Sequence, residues 1–279
     1  MNSDTVAIAV AQLTPTRDAA ANLASIRDLA TTAAVRGARL VVFPEYSSYF
    51  SPALGQDFVD AAQTIDGAFI DGIRSLAIEL DIHLVVGLVE RIDEPSRFSN
   101  TLVAVSAAGD VLATYRKLHL YDAFGDRESD WVRPGDIEPP QLFEFRGFTV
   151  GLQTCYDLRF PEITRRLVDA GATLVLVPSE WVRGPLKEQH WRTLVTARAI
   201  ENTLYVAAAD HTPPLGVGNS MIVDPMGVEL AALGEIAGVA VAPLSLARVE
   251  QVRALNPAVA LRRFRIAESW LPRVTPESG

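Results

Sequence analysis

The chain has one cysteine, and its surroundings bear on its chemistry. Cys155 closes the apolar run 150–154 and is followed by polar Asp157 and Arg159. A thiol becomes a strong nucleophile on deprotonation, so a reactive cysteine needs a base or a cation beside it. Without one, free cysteine is a small buried hydrophobe. Glu45 follows Val-Val-Phe-Pro. A carboxylate directly after a buried strand is either a surface residue or a partly buried base, whose raised pKa suits it to take a thiol proton near neutrality. Lys117 lies in Tyr-Arg-Lys-Leu-His-Leu, where Arg116 and Lys117 alternate sides. An inward ammonium would hold a thiolate and stabilise a developing oxyanion. An outward one is an ordinary solvated lysine.

The elements that would position these residues are readable from periodicity. Residues 6–11, 39–43 and 83–89 are short Val/Leu-rich runs, separated by amphipathic stretches at 21–35 and 69–80. That rhythm predicts strand–helix–strand crossovers and a largely parallel, doubly covered α/β sheet. Residues 101–106 and 111–115 flank the turn signal Gly109-Asp110, and 142–145 and 149–153 flank Arg146-Gly147, so the middle reads as hairpins. Pro161 suits the first position of a helix. Strand 173–177, helix 187–201 and strand 204–209 follow, then short runs at 221–223, 228–233 and 239–241 that read as a late antiparallel set. Several apolar runs end in a polar or reactive residue: Glu45, Cys155, Glu180, and Asp210 with His211. Ligands of open α/β sheets gather beyond the carboxyl ends of strands, so these residues point to one mouth.

Bulk properties narrow the class. The 279 residues suffice for one large domain, read as 1–255, with 256–279 as an arm that packs on the domain or on a partner subunit. Apolar residues make up 49% and charged residues 21%, which excludes gross disorder. The formal net charge of -9 argues against nucleic acid as a partner. A single cysteine permits no intramolecular disulfide. The first residues lack a secretory pattern, and the longest weakly polar stretch, 236–247, is shorter than the roughly 20 residues that span a bilayer. A cytoplasmic location away from membranes is the expectation.

Three segments together carry a resemblance. Phe-Pro-Glu-Tyr (43–46), Tyr-Arg-Lys-Leu-His-Leu (115–120) and Cys-Tyr-Asp-Leu-Arg-Phe-Pro-Glu (155–162) resemble, in this order, the signature segments of the nitrilase superfamily. Pro-Ser-Glu-Trp (178–181), Ala-Arg-Ala-Ile-Glu-Asn (197–202) and residues 218–227 extend the likeness over nearly the whole chain. The resemblance implies a four-layer αββα sandwich, a homodimer or higher assembly, and no metal or organic cofactor. It implies that Glu45 is the general base, Lys117 the electrostatic stabiliser and Cys155 the nucleophile. A second glutamate after the lysine segment is best matched by Glu128, with Asp126 and Asp130 as neighbours that compete for the role. The backbone N–H of Tyr156 would share the oxyanion with Lys117.

The cysteine segment looks most like the omega-amidase and deaminated-glutathione amidase branch, because Tyr156-Asp157 replaces the Trp-Glu usual in true nitrilases. The expected substrate is then a small linear amide with a carboxylate at its far end; aliphatic amides and N-carbamoyl amino acids are alternatives. A cation near the mouth would bind that carboxylate. Arg183, in a loop after a strand, is one candidate. Arg159 is the other, although pairing with Asp157 or Glu162 is the plainer expectation for it. Trp181 and Tyr49 are candidate pocket walls or core side chains. His119 and His190 invite a Cys–His protease reading, for which the sequence supplies no partner at suitable spacing. A non-catalytic binding module on the same scaffold is the rival of another class.

Overall fold

The computed structural model describes residues 5–265. In chain order the regular elements are β1 (Thr5–Gln12), α1 (Ala19–Val35), β2 (Leu40–Val42), α2 (Gln56–Ala61), α3 (Ala68–Leu80), β3 (His83–Arg91), β4 (Phe98–Val105), β5 (Val111–Arg116), β6 (Leu142–Phe145), β7 (Phe148–Leu152), α4 (Pro161–Asp169), β8 (Leu174–Pro178), α5 (Lys187–Asn202), β9 (Tyr205–Ala209), β10 (Met221–Val223), β11 (Glu229–Ala232), β12 (Gly238–Ser245) and α6 (Leu246–Leu255). Two single-turn 3-10 segments, Glu128–Asp130 and Cys155–Arg159, carry site residues.

The strands form two six-stranded sheets, ordered β12-β1-β2-β3-β4-β5 and β11-β10-β9-β8-β7-β6. Each is parallel only at its centre: β1, β2 and β3 in the first, β7, β8 and β9 in the second. Hairpins add the antiparallel flanks. The single, largely parallel sheet expected from periodicity is therefore corrected to two mixed sheets. The expected late antiparallel set is also divided. β10 and β11 finish the second sheet, whereas β12 returns to pair antiparallel with β1 from Thr5 opposite Ser245 to Gln12 opposite Gly238.

Strand alternation sorts the side chains into layers. Ile8 and Val10 of β1 meet Leu174 and Leu176 of β8 in a core between the sheets. Their alternates Ala9 and Ala11 face a second core with Ile26 and Ala30 of α1 and Ile70 and Ile73 of α3. Val175 and Val177 face a third core with Trp191, Val195 and Ala199 of α5. The result is the αββα sandwich. Asp18 starts α1 by accepting from the N–H groups of Ala20 and Ala21 at 2.9 and 3.2 Å. Gly37, just past that helix, has φ +90, which a residue with a Cβ rarely adopts.

Beyond α6, Val259 packs on the helix-side core of the second sheet, and Arg262 pairs with Asp169 of α4. Of the apolar residues expected to anchor the arm, Phe264 is exposed, while Ile266, Trp270 and Leu271 lie outside the described residues. Among the described residues no helix is long and apolar enough to cross a membrane.

Candidate active site

β2 delivers Glu45. The chain leaves the strand through Phe43 and Pro44, and the N–H of Phe43 still donates to the Val85 carbonyl at 2.8 Å. The next residue, Tyr46, adopts φ +57, so the backbone folds back over β3. Gly87 makes this possible. A Cβ there would lie 2.4 Å from the Tyr46 nitrogen and 2.9 Å from the Glu45 Cα. From the other side, Nε2–H of buried His211 donates to the Glu45 carbonyl at 2.7 Å. Burial lowers the His211 pKa to about 4, which keeps the imidazole neutral in this role. The Glu45 carboxyl is 1% exposed and fully engaged. Oε1 accepts from Lys117 Nζ at 2.9 Å and Asn100 Nδ2 at 2.6 Å, and Oε2 accepts from the backbone N–H of Glu180 at 2.6 Å.

Lys117 follows β5, and its N–H extends the pairing to the Asn100 carbonyl at 2.9 Å. Its ammonium points inward and is 2% exposed. Nζ lies 2.9 Å from Oε1 of Glu45 and 2.9 Å from Oε2 of Glu128. Glu128 is therefore the acid that reaches the lysine. It is fixed by Tyr46 Oη at 2.7 Å, Asn100 Nδ2 at 3.2 Å and the Tyr121 N–H at 2.5 Å. Asp126 and Asp130 line the cavity without pairing to Lys117, and Asp130 pairs with Arg127. Burial opposes the Lys117 charge, but Glu128 and Glu45 outweigh it and hold its pKa well above the ordinary value. Burial also raises Glu45, with Lys117 offsetting part of the effect and Glu128 adding to it.

β7 delivers Cys155 through Gln153 and Thr154. The cysteine opens its 3-10 turn at φ +42, a left-handed conformation that costs a residue with a Cβ on the order of 1–3 kcal/mol. Asp157 holds the turn. It accepts from the Thr154 N–H at 3.0 Å, Tyr115 Oη at 2.7 Å and the His119 N–H at 3.1 Å, which ties the cysteine turn to the lysine segment. The Cys155 thiol donates to the Glu180 carbonyl at 3.4 Å. Burial, reinforced by the Glu45 charge, pushes the thiol well above its ordinary pKa. This favours the thiol over the thiolate, so a nucleophilic role for the sulfur would require a base beside it.

Glu45, Lys117, Glu128 and Cys155 line one cavity of about 460 Å³, with Tyr156, Arg159, Glu180, Trp181 and Lys187. Arg159 forms no ion pair with Asp157 or Glu162. Its guanidinium carbon sits 4.8 Å from the Trp181 ring centroid and 5.8 Å from that of Tyr156. Lys187 Nζ donates to Tyr121 Oη at 2.6 Å and lies 4.1 Å from the Phe124 ring centroid. Burial lowers the Lys187 pKa, and nearby Arg159 lowers it further. Arg183 and Tyr49 are placed elsewhere. Arg183 pairs with Glu188 at 3.2 Å and Glu235 at 3.0 Å, and Tyr49 donates to Asp57 at 2.8 Å and packs edge-on to Phe58. Neither is among the residues lining the cavity, and neither are His119 and His190. His119 stacks on Phe160 and bonds Asp157, which accounts for it without a catalytic role.

Sequence reasoning passed over Asn100, Lys187 and the side chain of Glu180. Asn100 lies inside β4 between Ser99 and Thr101, in a polar stretch just ahead of the apolar run, so its type gave no signal of burial. Lys187 stands at the start of α5, where a lysine reads as solvated, and only the left-handed Leu186 at φ +61 before it turns the helix start toward the cavity.

Comparison with known proteins identifies the family. The carbon-nitrogen hydrolase family model matches residues 7–254. The chain is 42% identical over 206 residues to deaminated glutathione amidase of Escherichia coli O157:H7, covering 74% of this chain and 78% of that protein. The C. elegans NitFhit protein superposes with a TM-score of 0.85 at 30% identity, over 94% of this chain and 66% of that one. A mutant amidase from Nesterenkonia sp. AN1, with the acetamide moiety of fluoroacetamide added covalently at its active site cysteine, superposes with a TM-score of 0.77 at 30% identity, over 94% and 98% of the two chains. The chain belongs to the carbon-nitrogen hydrolase family, in the omega-amidase-like branch of the nitrilase superfamily, and is an enzyme that hydrolyses carbon–nitrogen bonds other than peptide bonds.

Proposed function

We propose that the enzyme hydrolyses a small linear amide bearing a distant carboxylate, giving a carboxylic acid and ammonia through a thioester on Cys155. One observation carries this reading. The cavity that holds Cys155, Glu45 and Lys117 also holds two cations, Arg159 and Lys187, that pair with no carboxylate among the described residues. Lys187 is buried and Arg159 partly so, and cations withdrawn from water gain from a counter-charge, which a substrate carboxylate supplies.

The chemistry follows from the contacts. Glu45 takes the Sγ proton as sulfur attacks the amide carbon. Lys117 Nζ and the Tyr156 N–H receive the oxyanion. Glu128 keeps Lys117 charged and fixes where its ammonium points. The carbon–nitrogen bond breaks as Glu45 returns its proton to the leaving nitrogen, and ammonia departs. Water then attacks the thioester while Glu45 takes its proton. The carbon–sulfur bond breaks, the acid leaves and the proton returns to Cys155. The Trp181 ring supports Arg159 from below its guanidinium plane.

Arg159→Ala tests the substrate half of the reading. A charge-assisted hydrogen bond contributes about 1.5–3 kcal/mol, so kcat/KM for carboxylate-bearing amides falls by roughly 10- to 150-fold. Neutral amides of the same length change little. Equal losses for both reject the assignment. We also infer a homodimer: exposed Ile200 lies against the turn that exposes Met226 and Val228, an apolar patch suited to a second copy. A monomer in light scattering would oppose this.

A further inference from the structure

One ionisable side chain of the cavity takes no part in the chemistry above. Glu180 follows β8 through Ser179, and its backbone is clamped on both sides of the reaction. Its N–H donates to Oε2 of the Glu45 base, and its carbonyl accepts from the Cys155 thiol. The side chain lines the same cavity. Among the described residues, no hydroxyl, amide or cation bonds or pairs with its carboxyl. Burial pushes that carboxyl well above the ordinary range, and the charge of Glu45 pushes it further. A partly buried acid beside the Glu45 carboxylate gains from a cation, and a ligand can supply one.

The other charges of the cavity indicate which partner. Lys117 is taken by Glu45 and Glu128, and Arg127 by Asp130. Arg159 and Lys187 form no ion pair with a carboxylate, and Glu180 and Asp126 form none with a cation, although both acids lie near enough to Lys187 to favour its charge. A ligand with a carboxylate alone answers the two cations and leaves Glu180 beside two further negative charges. A ligand with a carboxylate and an ammonium answers charges of both signs, and Glu180, held at Glu45 and Cys155, is the acid nearest the reacting groups.

We propose that Glu180 is a specificity-determining residue that receives the ammonium of the substrate, so that the preferred substrate is a zwitterionic amide with a free amine as well as a carboxylate. This rests on the proposed carboxylate site of Arg159 and Lys187. It departs from relatives such as the Escherichia coli amidase, whose name specifies a deaminated compound.

The test uses matched pairs of amides that differ only in the amine: glutamine against glutaramate, and asparagine against succinamate. The readout is the ratio of kcat/KM within a pair, for wild type and for Glu180→Gln, which keeps shape and loses charge. A parallel arm measures the ratio of dissociation constants by calorimetry in Cys155→Ala and in Cys155→Ala with Glu180→Gln. The proposal expects the preference for the amine-bearing member to fall at least tenfold in the variant, in both arms. Glu180→Ala should behave alike, with wild-type circular dichroism. A ratio that Glu180→Gln leaves unchanged overturns the proposal, whichever amide is preferred. So does failure of any of the four amides to bind. Binding without hydrolysis would count against the proposed reaction alone, and the binding ratio would still decide the role of Glu180.

Discussion

Replacing Lys117 by Met removes one positive charge and little volume from the centre of the site. In the wild type that charge lies 2.9 Å from Glu45 and 2.9 Å from Glu128, with all three side chains almost wholly buried. Removing one partner of a buried pair costs about 3–5 kcal/mol, because the other charge is left without compensation. At about 2–4 °C per kcal/mol for a large domain, the melting temperature should fall by roughly 6–20 °C. The loss has a pH signature. Glu45 already has a raised pKa in the folded protein, and without the cation the repulsion from Glu128 is no longer offset, which raises Glu45 further. A carboxyl whose folded pKa exceeds its unfolded value stabilises the fold below the unfolded value, and that contribution is lost as pH rises through the folded one. The melting deficit of Lys117→Met should therefore be small near pH 5 and grow toward pH 8. Activity should fall independently of folding. Loss of one oxyanion donor costs about 10²–10³ in kcat, so turnover measured well below the melting point should drop at least that far. Thermal scans across pH, paired with ammonia release, check both parts. A variant that melts like wild type at pH 8, or that keeps more than a tenth of its turnover, would refute the reasoning.

Other perturbations probe separate contacts. Gly87→Ala would force a Cβ against the backbone of Glu45 and Tyr46, which has no flexible end to yield. It should cost about 1–3 kcal/mol of stability and, by moving the base, roughly 100-fold in kcat/KM, against a control such as Gly234→Ala, where a Cβ meets open space at an ordinary φ. The acid limb of kcat/KM should lie above pH 4.5, because Glu45 must be ionised to accept the thiol proton and burial raises its pKa. A limb below pH 4.5 would remove Glu45 from the role of base. Alkylation of Cys155 by iodoacetamide at pH 7 should be slow for a thiol raised by burial, and slower still in Glu45→Gln, because loss of the base that accepts the thiol proton outweighs the relief of the Glu45 charge on the sulfur. Equal rates in both proteins would show that the carboxylate does not assist the sulfur.

The short apolar runs of β1, β2, β3, β7, β8 and β9 were legible because buried parallel strands are continuous hydrophobic segments. Their division between two sheets was not. β12 joins β1 across more than 220 residues, and no local pattern encodes a partner at that distance. The six-residue α2 was missed because it is too short for its periodicity to show. Glu45, Lys117 and Cys155 could be singled out because each follows a strand, and their convergence required the order of three segments together. Asn100 and Tyr46 act through contacts with residues 28 to 82 positions away, so their types gave no warning, whereas Glu180 was legible as a strand-end residue of the mouth but not in its bond to Glu45. Arg159 illustrates the reverse error. Nearby acids suggested an ion pair, but Asp157 is already filled by Tyr115, His119 and Thr154, and the guanidinium turns to the aromatic wall instead.

The central claim is that a thioester forms on Cys155 between ammonia release and release of the acid. Acid quench of the enzyme within milliseconds of mixing with a substrate amide, followed by intact-mass measurement, tests it directly. The expected result is a mass increase equal to the substrate less ammonia, located on Cys155 by peptide mapping, removed by hydroxylamine, and absent from Cys155→Ala, which also releases no ammonia. Turnover by Cys155→Ala, or an adduct on any other residue, would contradict the account.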